Sequence, residues 1–204
     1  MLKNPAPVDW REARRQSARA TVLAAAWEMV RANGLAALSL RDLARQAGIT
    51  TPTVYAYFDS KNAIFDAMFG EAAQSFAESK TELVDKGDRY ENLMADAQNF
   101  IEFCVSDVAR YQLLFQHSVP GFSPSPQSYA PAVRALELTR EHLAGYGVRD
   151  PRHVDVWTAL LTGLVDQQIS NDPGGDRWSR LIDEVVQMFL AHCSDDGTAH
   201  DHHS

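Results

Sequence analysis

The chain has 204 residues, of which 45% are apolar and 23% are charged, as in a soluble globular protein with a sizeable core. Its 11 glycines follow no three-residue period, which excludes collagen, and no apolar run approaches ~18 residues, so we expect no membrane span. The N-terminal residues turn polar and charged at once, which predicts no secretory signal. Cys104 and Cys193 are too few for a disulfide framework or a structural zinc site, so we expect a protein of the reducing cytoplasm.

Charge is distributed unevenly along the chain. Residues 1–66 hold 9 Lys and Arg against 6 Asp and Glu, a net charge of +3, whereas residues 67–204 carry a net charge of −11. A basic N-terminal segment on an acidic remainder is consistent with contact between that segment and an anionic polymer. A net charge of +3 is modest, and a chance excess is the alternative.

Apolar residues recur at helical spacing along most of the chain, and no stretch alternates with a period of two, which predicts an all-α fold. Residues 10–33 are expected to form the first helix, which Gly34 ends in a left-handed conformation. Ser39 is expected to cap a second helix that ends at Gly48, and Ser60 to cap a fourth. The residues expected to be buried on these helices are Val22, Ala25, Ala26, Met29, Val30, Leu40, Leu43, Ala44, Ala47, Ile64, Phe65, Met68 and Phe69.

The segment 40–61, LRDLARQAGITTPTVYAYFDSK, has the pattern of a helix-turn-helix. Ala44 and Gly48 lie four residues apart, and their small side chains allow two helices to cross closely around a sharp turn. Thr51 as N-cap and Pro52 at the first helical position, where a missing N–H costs nothing, predict a third helix that ends near Phe58.

The third helix is expected to turn Val54 and Phe58 inward and hydroxyl and phenol groups outward. Such a helix suits the DNA major groove, because hydroxyls bond phosphate oxygens or base edges and rings contact thymine methyl groups. Lys61, at the start of the fourth helix, is expected to bind a phosphate together with exposed N–H groups. The outward side chains are those of Thr51, Thr53, Tyr55 and Tyr57.

The remaining helices are expected at 71–84, continuing or following the fourth, and then at 90–107, 108–117, 131–146, 153–170 and 177–193. Residues 118–131 contain four prolines and are predicted to be irregular. The predicted organisation is a head at residues 1–69, a helical body at 70–194 and a disordered tail at 195–204.

Residues 11–69 resemble the DNA-binding head of the TetR family of bacterial one-component transcription regulators. The residues that carry the resemblance are Gly34, Ser39, Leu40, Leu43, Ala44, Ala47, Gly48, Val54, Tyr55, Tyr57, Phe58, Lys61 and Phe65. The resemblance implies an all-α protein with a three-helix helix-turn-helix head and a larger helical body that dimerises and binds a small ligand.

The resemblance also implies roles for single residues. Arg41 would contact the DNA backbone or a base, and Lys61 a phosphate. The side chains that would lie against phosphates, base edges or thymine methyl groups are Thr50, Thr51, Thr53, Tyr55 and Tyr57. A basic lead-in near the minor groove would consist of Arg11, Arg14 and Arg15.

Simpler interpretations of these residues stay open. The alternatives are that Tyr55 is a core aromatic, that Thr51 is only a cap, and that Arg41 and Arg45 are ordinary solvated charges. Two departures from the family pattern are expected to weaken DNA binding or to change the operator. Pro52 stands in place of the usual glycine and offers no N–H to a phosphate, and Asp59 adds a negative charge near the DNA backbone.

The last two predicted helices, at about 153–170 and 177–193, carry more apolar side chains than one buried stripe needs, which predicts a four-helix homodimer interface. Two heads about one DNA turn apart, ~34–36 Å, would read a palindromic operator. Packing of both faces within one chain is the alternative. The apolar residues are Val154, Val156, Trp157, Leu160, Leu161, Leu164, Val165, Ile169, Leu181, Ile182, Val185, Val186, Met188, Phe189 and Leu190.

A ligand cavity is expected between the middle helices, apolar with a few polar groups. Its candidate lining residues are Phe100, Phe103, Tyr111, Phe115, Phe122, Trp157, Leu161 and Gln168. For each aromatic residue, the alternative is an ordinary place in the core. His117 is expected to be a partly exposed residue at a helix end rather than a ligand contact. Trp157, Gly163 and the PGFSPSP segment partly resemble a subgroup named for a Trp-His-Gly signature, although Thr162 stands at the histidine position.

The sequence therefore favours a ligand-responsive homodimeric repressor. An all-α enzyme and a ligand-sequestering or scaffold protein without operator binding are the alternatives. The sequence shows no catalytic triad order, no glycine-rich phosphate loop and no metal-ligand spacing that would support an enzyme. We therefore expect no cofactor and no catalytic residue. Metal binding by the tail residues His200, Asp201, His202 and His203 is expected to be adventitious.

Overall fold

The computed structural model describes residues 10–199, and within that range every regular element is a helix, which confirms the all-α prediction. None of the helices in this part of the chain combines the length and apolar character needed to cross a bilayer. In chain order the helices are α1 (Trp10–Asn33), α2 (Leu40–Gln46), α3 (Thr51–Tyr57), α4 (Lys61–Thr81), α5 (Arg89–Val105), α6 (Val108–Phe115), α7 (Pro126–Gly145), α8 (Pro151–Asn171) and α9 (Ile182–Ala199).

Helices α1–α4 begin and end close to the predicted positions. The hydroxyl of Ser60 accepts the backbone N–H of Ala63 at 3.1 Å, which confirms the predicted cap of α4. The cap of α3 is one residue earlier than predicted. Thr50, in an extended conformation, accepts the N–H of Thr53 at 3.3 Å, so Thr51 is already helical.

The apolar stripes of the head form one continuous core with the body. Helix α4 runs through the predicted boundary at residues 69–70 without a break, and it packs most extensively on α7. The two helices approach closely at Gly70, where a Cβ atom would lie 3.2 Å from the Ser128 hydroxyl oxygen. Of the predicted stripe residues, Leu40 and Ala47 are half-buried and the others are buried.

The prediction that residues 118–131 are irregular is wrong from Pro126 onward, because α7 begins there and contains Pro131. Pro126 occupies the first turn, where its missing N–H costs nothing. The start of α7 is held by Asp66 of α4, whose carboxylate accepts the Ser125 N–H at 2.6 Å, the Ser125 hydroxyl at 3.0 Å and the Ser128 hydroxyl at 2.8 Å. Local sequence does not show such a contact across 59 residues.

These bonds also set the ionisation of Asp66. Burial raises the pKa of its carboxyl, but the hydrogen bonds from Ser125 and Ser128 outweigh burial and hold the pKa below its ordinary value.

Replacing Asp66 with alanine is expected to lower the free energy of unfolding by about 1–2 kcal/mol, because the start of α7 loses its acceptor. Urea denaturation measures the loss, and hydrogen exchange is expected to be faster in the first turn of α7. Glu71, exposed on the same helix, is the control, and Glu71→Ala is expected to change stability by less than about 0.5 kcal/mol. Equal effects of the two substitutions would contradict a specific contact.

The last helix differs from its prediction at both ends. Residues 177–181 form a turn and a short 3-10 segment instead of helix, because the Gln168 side chain of α8 binds this loop, accepting the N–H groups of Trp178 at 2.9 Å and Ser179 at 3.1 Å. Helix α9 then continues to Ala199, so residues 195–199 are helical where a disordered tail was predicted. Backbone hydrogen bonds propagate the helix through this polar segment. The histidines predicted to bind metal adventitiously lie at 200–203, outside the described residues.

Candidate functional site

The turn between α2 and α3 depends on its small residues. Gly48 has φ of +67°, a conformation that glycine adopts without strain. The N–H of Ile49 donates to the Ala44 carbonyl at 2.9 Å, which closes the turn, and Ala44 is buried where the helices cross. The pair of small residues therefore serves the helix-turn-helix as predicted.

The short helix α3 has a buried and an exposed side. Val54 and Phe58 are buried, whereas the Tyr55 side chain is 50% exposed, so the interpretation of Tyr55 as a core aromatic is wrong. Tyr57 is half-buried against the core, and Pro52 is exposed. The most exposed large side chain on α3 is thus the phenol expected to contact DNA.

The threonines at the start of α3 form a small polar group. The hydroxyl oxygens of Thr50 and Thr53 lie 2.8 Å apart in a hydrogen bond that uses one of their two hydroxyl hydrogens. The second hydrogen stays available to a phosphate or base acceptor. Thr50 is exposed, and Thr51 and Thr53 are half-exposed, so these side chains reach the surface.

The end of α3 is fixed by Arg19 of α1, which the sequence analysis missed. Its guanidinium donates to the Tyr57 carbonyl at 3.0 Å and lies 4.2 Å from the centroid of the Phe58 ring. An arginine on a polar helix face gives no local signal of this role, because its partners are 38 residues away. Arg19 holds the orientation of α3 relative to α1.

The basic residues flank this surface. Arg41 is exposed on α2, and Lys61 is half-buried with its ammonium 5.5 Å from the centroid of the Phe65 ring. Arg45 pairs with Asp42 at 2.9 Å, which favours an ordinary solvated charge. Asp59 is exposed between α3 and α4. The residues of the basic lead-in, all exposed in the first turns of α1, are Arg11, Arg14 and Arg15.

Residues 22–68 match the family model described as bacterial regulatory proteins, tetR family. The match lies within the head of the chain and includes its helix-turn-helix. The head is therefore a DNA-binding helix-turn-helix, and the match points to a transcription regulator. No curated protein sequence matches the chain significantly.

Solved structures of TetR-type regulators share the fold over most of this chain. A tetR-family transcriptional regulator from Streptomyces coelicolor is 18% identical, with a TM-score of 0.70, and the match covers 86% of this chain and 80% of that one. The transcriptional regulator FadR from Bacillus subtilis, in complex with stearoyl-CoA, is 18% identical, with a TM-score of 0.62 and coverage of 83% and 96%. A TetR variant from Acinetobacter baumannii AYE, in complex with minocycline, is 20% identical, with a TM-score of 0.59 and coverage of 86% and 96%.

The body of the chain contains a cavity of about 130 Å³ between α4, α5, α6, α7 and α8. It opens beside Leu136 and Thr158, which are both exposed. Four of the eight predicted lining residues border it, namely Phe100, Phe115, Trp157 and Leu161. The partial resemblance to the Trp-His-Gly subgroup stays a prediction.

The other four predicted lining residues do not border this cavity. The Arg110 guanidinium lies over Phe103, 3.9 Å from the centroid of the Phe103 ring. Phe122 packs on α4 beside Phe65. The Tyr111 hydroxyl donates to Asp166 at 2.7 Å, and Gln168 binds the loop before α9. These side chains stabilise the fold, because helical spacing alone does not separate a cavity wall from the core. His117 is exposed just after α6, with a φ of 48°, as the simpler interpretation predicted.

A buried ion pair borders the cavity, and the sequence analysis missed it. The Lys80 ammonium is 2.8 Å from one Asp96 carboxylate oxygen, and the Trp157 indole N–H donates to the other at 3.0 Å. Lys80 is 2% exposed and Asp96 is 1% exposed. Burial raises the pKa of Asp96, but the Lys80 charge and the hydrogen bonds outweigh burial and lower the pKa to about 2. Asp96 is thus an anion at neutral pH.

Proposed function

We propose that this protein is a homodimeric repressor of the TetR family that binds a palindromic operator through α3 and is released by a small-molecule effector bound in the body. The observation that carries the proposal is the exposed polar and aromatic surface of α3, held in place by the Gly48 turn and by Arg19. Its residues match the groups that bond phosphates and base edges in a major groove.

The burial pattern of α8 and α9 supports the dimer. Of the 15 apolar residues predicted for this interface, seven are buried within the chain, seven are half-buried and Met188 is 66% exposed. Ala159 and Gly163 lie exposed one turn apart on α8, where small side chains allow a second copy to approach closely. A surface of apolar side chains that includes small residues is typical of a helix-bundle interface.

The links between body and head support release by an effector. Helix α7 borders the cavity, and its first turn is bound to Asp66 of α4, which continues into the head. The Arg31 guanidinium of α1 binds Asp107, the cap of α6, at 2.7 Å, and α6 also borders the cavity. An effector that shifts α6 or α7 therefore acts on elements attached to the head. If the effector binds one arrangement of the heads more tightly than the other, it changes the affinity of the protein for its operator.

Footprinting on the DNA upstream of the protein's own gene tests the proposal. A protected palindrome with half-sites about one helical turn apart is expected at moderate salt. A double variant, Tyr55→Ala with Arg41→Ala, is the control and is expected to leave that region unprotected. Absence of any protected palindrome with the unmodified protein would contradict operator binding there.

Lys61→Ala and Thr53→Ala are expected to weaken DNA binding in different ways. Loss of the Lys61 charge is expected to weaken binding to all sequences similarly and to reduce the salt dependence by about one phosphate contact. Loss of the Thr53 hydroxyl is expected to relax preference at one base position, by about 1–3 kcal/mol. Fluorescence anisotropy with operator and random duplexes measures both effects, and equal losses on both duplexes for Thr53→Ala would refute base recognition.

Pro52 and Asp59 favour the second candidate, a ligand-sequestering or scaffold protein that does not bind an operator. Both residues are exposed beside the proposed DNA surface, where Pro52 offers no N–H and Asp59 repels phosphate. A titration with DNA at increasing salt separates the two functions. A repressor loses affinity steeply as salt rises, whereas a sequestering protein shows no binding to lose.

A further inference from the structure

The dimensions of the body cavity restrict its ligand. A volume of about 130 Å³ is close to that of a cavity of about 150 Å³ that binds benzene in another protein. One six-membered ring therefore fills most of the space, and a short substituent reaches the opening beside Leu136.

Four aromatic side chains form part of the cavity wall. The Phe115 ring lies edge-on to Phe76 and to Phe100, with centroids 5.5 Å and 5.6 Å apart, and Trp157 borders the same space. Aromatic edges and faces at these distances favour a further ring in an offset or edge-to-face arrangement.

Lys80 provides the donor that the ligand must satisfy. Its ammonium has three N–H bonds, and its one hydrogen bond to another described residue goes to Asp96. The side chain is 2% exposed and borders the cavity, so its other N–H bonds are buried beside an apolar space. A buried donor without an acceptor is costly, and a ligand oxygen removes that cost.

The other polar groups of the cavity do not compete for this role. The Thr139 hydroxyl donates to the Ala135 carbonyl at 3.0 Å and the Thr158 hydroxyl to the Val154 carbonyl at 2.8 Å, so both offer only lone pairs. The Trp157 N–H is already bound to Asp96. Lys80 is therefore the donor that selects an acceptor group on the ligand.

The charge balance of the site disfavours an ionic ligand. Lys80 and Asp96 neutralise each other, so a carboxylate ligand would place a second anion beside Asp96 in a desolvated site. A cationic ligand would face the Lys80 ammonium, while both Asp96 oxygens already accept hydrogen bonds. His142 lies with Nδ1 3.9 Å from an Asp96 carboxylate oxygen.

We propose that the cavity binds a small uncharged aromatic molecule of about one ring, whose oxygen acceptor receives a hydrogen bond from the Lys80 ammonium. This inference rests on the proposed function for its biological role. The binding test uses the protein without DNA, so its outcome is separate from that of the operator experiments.

Four probes of similar size test the ligand class by isothermal titration calorimetry at a pH of about 8. Acetophenone carries the acceptor, ethylbenzene lacks it, benzoate is an anion and benzylammonium is a cation. Acetophenone is expected to bind about tenfold or more tightly than each of the other three, the effect of one hydrogen bond to a charged group. Equal binding of acetophenone and ethylbenzene, tighter binding of either ion, or no binding of acetophenone would overturn the proposal.

Variants locate the binding in the cavity. Leu136→Trp is expected to fill the opening and weaken acetophenone binding at least tenfold. Val133→Trp, on the same helix and equally exposed but outside the lining, is the control and is expected to leave binding unchanged. Binding that persists in Leu136→Trp places the ligand elsewhere and contradicts the proposal.

The double variant Lys80→Met with Asp96→Asn tests the hydrogen bond. It removes both charges, and the asparagine oxygen keeps an acceptor for the Trp157 N–H. The preference for acetophenone over ethylbenzene is expected to fall to twofold or less, while ethylbenzene still binds. A preference that persists would exclude Lys80 as the donor. If the double variant does not fold, the comparison of the four probes on the unmodified protein still decides the ligand class.

Operator release is measured separately. Acetophenone binding without release of DNA would contradict the proposed coupling and leave the ligand class supported. Release by another molecule, with no binding of acetophenone, would support the coupling and overturn the ligand class.

Discussion

Replacing Asp96 with alanine is expected to lower the free energy of unfolding by about 3–5 kcal/mol, a large fraction of the roughly 5–15 kcal/mol that stabilises an ordinary domain. The substitution leaves the Lys80 ammonium, 2% exposed, without its counterion and removes the acceptor of the Trp157 N–H. Urea denaturation followed by circular dichroism measures the change.

The double variant Lys80→Met with Asp96→Asn is the control for this effect. It removes the charge pair without leaving one charge unpaired, and such replacements in other proteins are often neutral. We expect it to recover most of the stability that Asp96→Ala loses. A single variant as stable as the double variant would show that the ion pair is not needed to compensate the buried lysine.

The ion pair also predicts how stability depends on pH. The pKa of Asp96 is about 2 in the folded protein and has a reference value of 3.8, so ionised Asp96 favours the folded state. This contribution is fully present above about pH 4 and is lost as the pH falls toward 2. The difference corresponds to about 2 kcal/mol. Asp66, whose pKa is also lowered, acts in the same direction, so the comparison with the double variant isolates Asp96.

Replacing Gly163 with leucine is expected to convert the proposed dimer to a monomer and to weaken operator binding by about 100-fold or more. A Cβ atom at Gly163 meets no atom of its own chain within 4 Å, so the monomer has room for the larger side chain. In a dimer packed through α8 and α9 the same side chain separates the two helix pairs. The heads then bind as independent units and lose the gain of linked half-sites.

Sedimentation velocity measures the oligomeric state, and anisotropy measures operator affinity. Gly145→Leu is the matched control, because a Cβ at this exposed position on α7 also meets nothing within 4 Å. It is expected to leave both quantities unchanged. A Gly163→Leu protein that remains dimeric would place the interface elsewhere.

The head shows how much local sequence predicts. Ser39, Gly48 and Ser60 occupy the predicted caps and turn, because capping and left-handed turns involve residues only a few positions apart. The spacing of Val54 and Phe58 predicts the buried side of α3 for the same reason. The Thr50 cap differs by one residue, since two adjacent threonines offer the same hydroxyl chemistry.

The sequence by itself determined the all-α class, the helix-turn-helix and the side of α3 that faces outward, because each follows from interactions within a few residues. Only the tertiary structure decided the Asp66 support of α7, the Arg19 contact with α3 and the Lys80–Asp96 pair at the cavity. Those contacts join residues 16 to 62 positions apart. A long charged side chain usually remains at the surface, so local sequence predicts exposure for Lys80, and only the packing of α4 against α5 buries it beside its counterion.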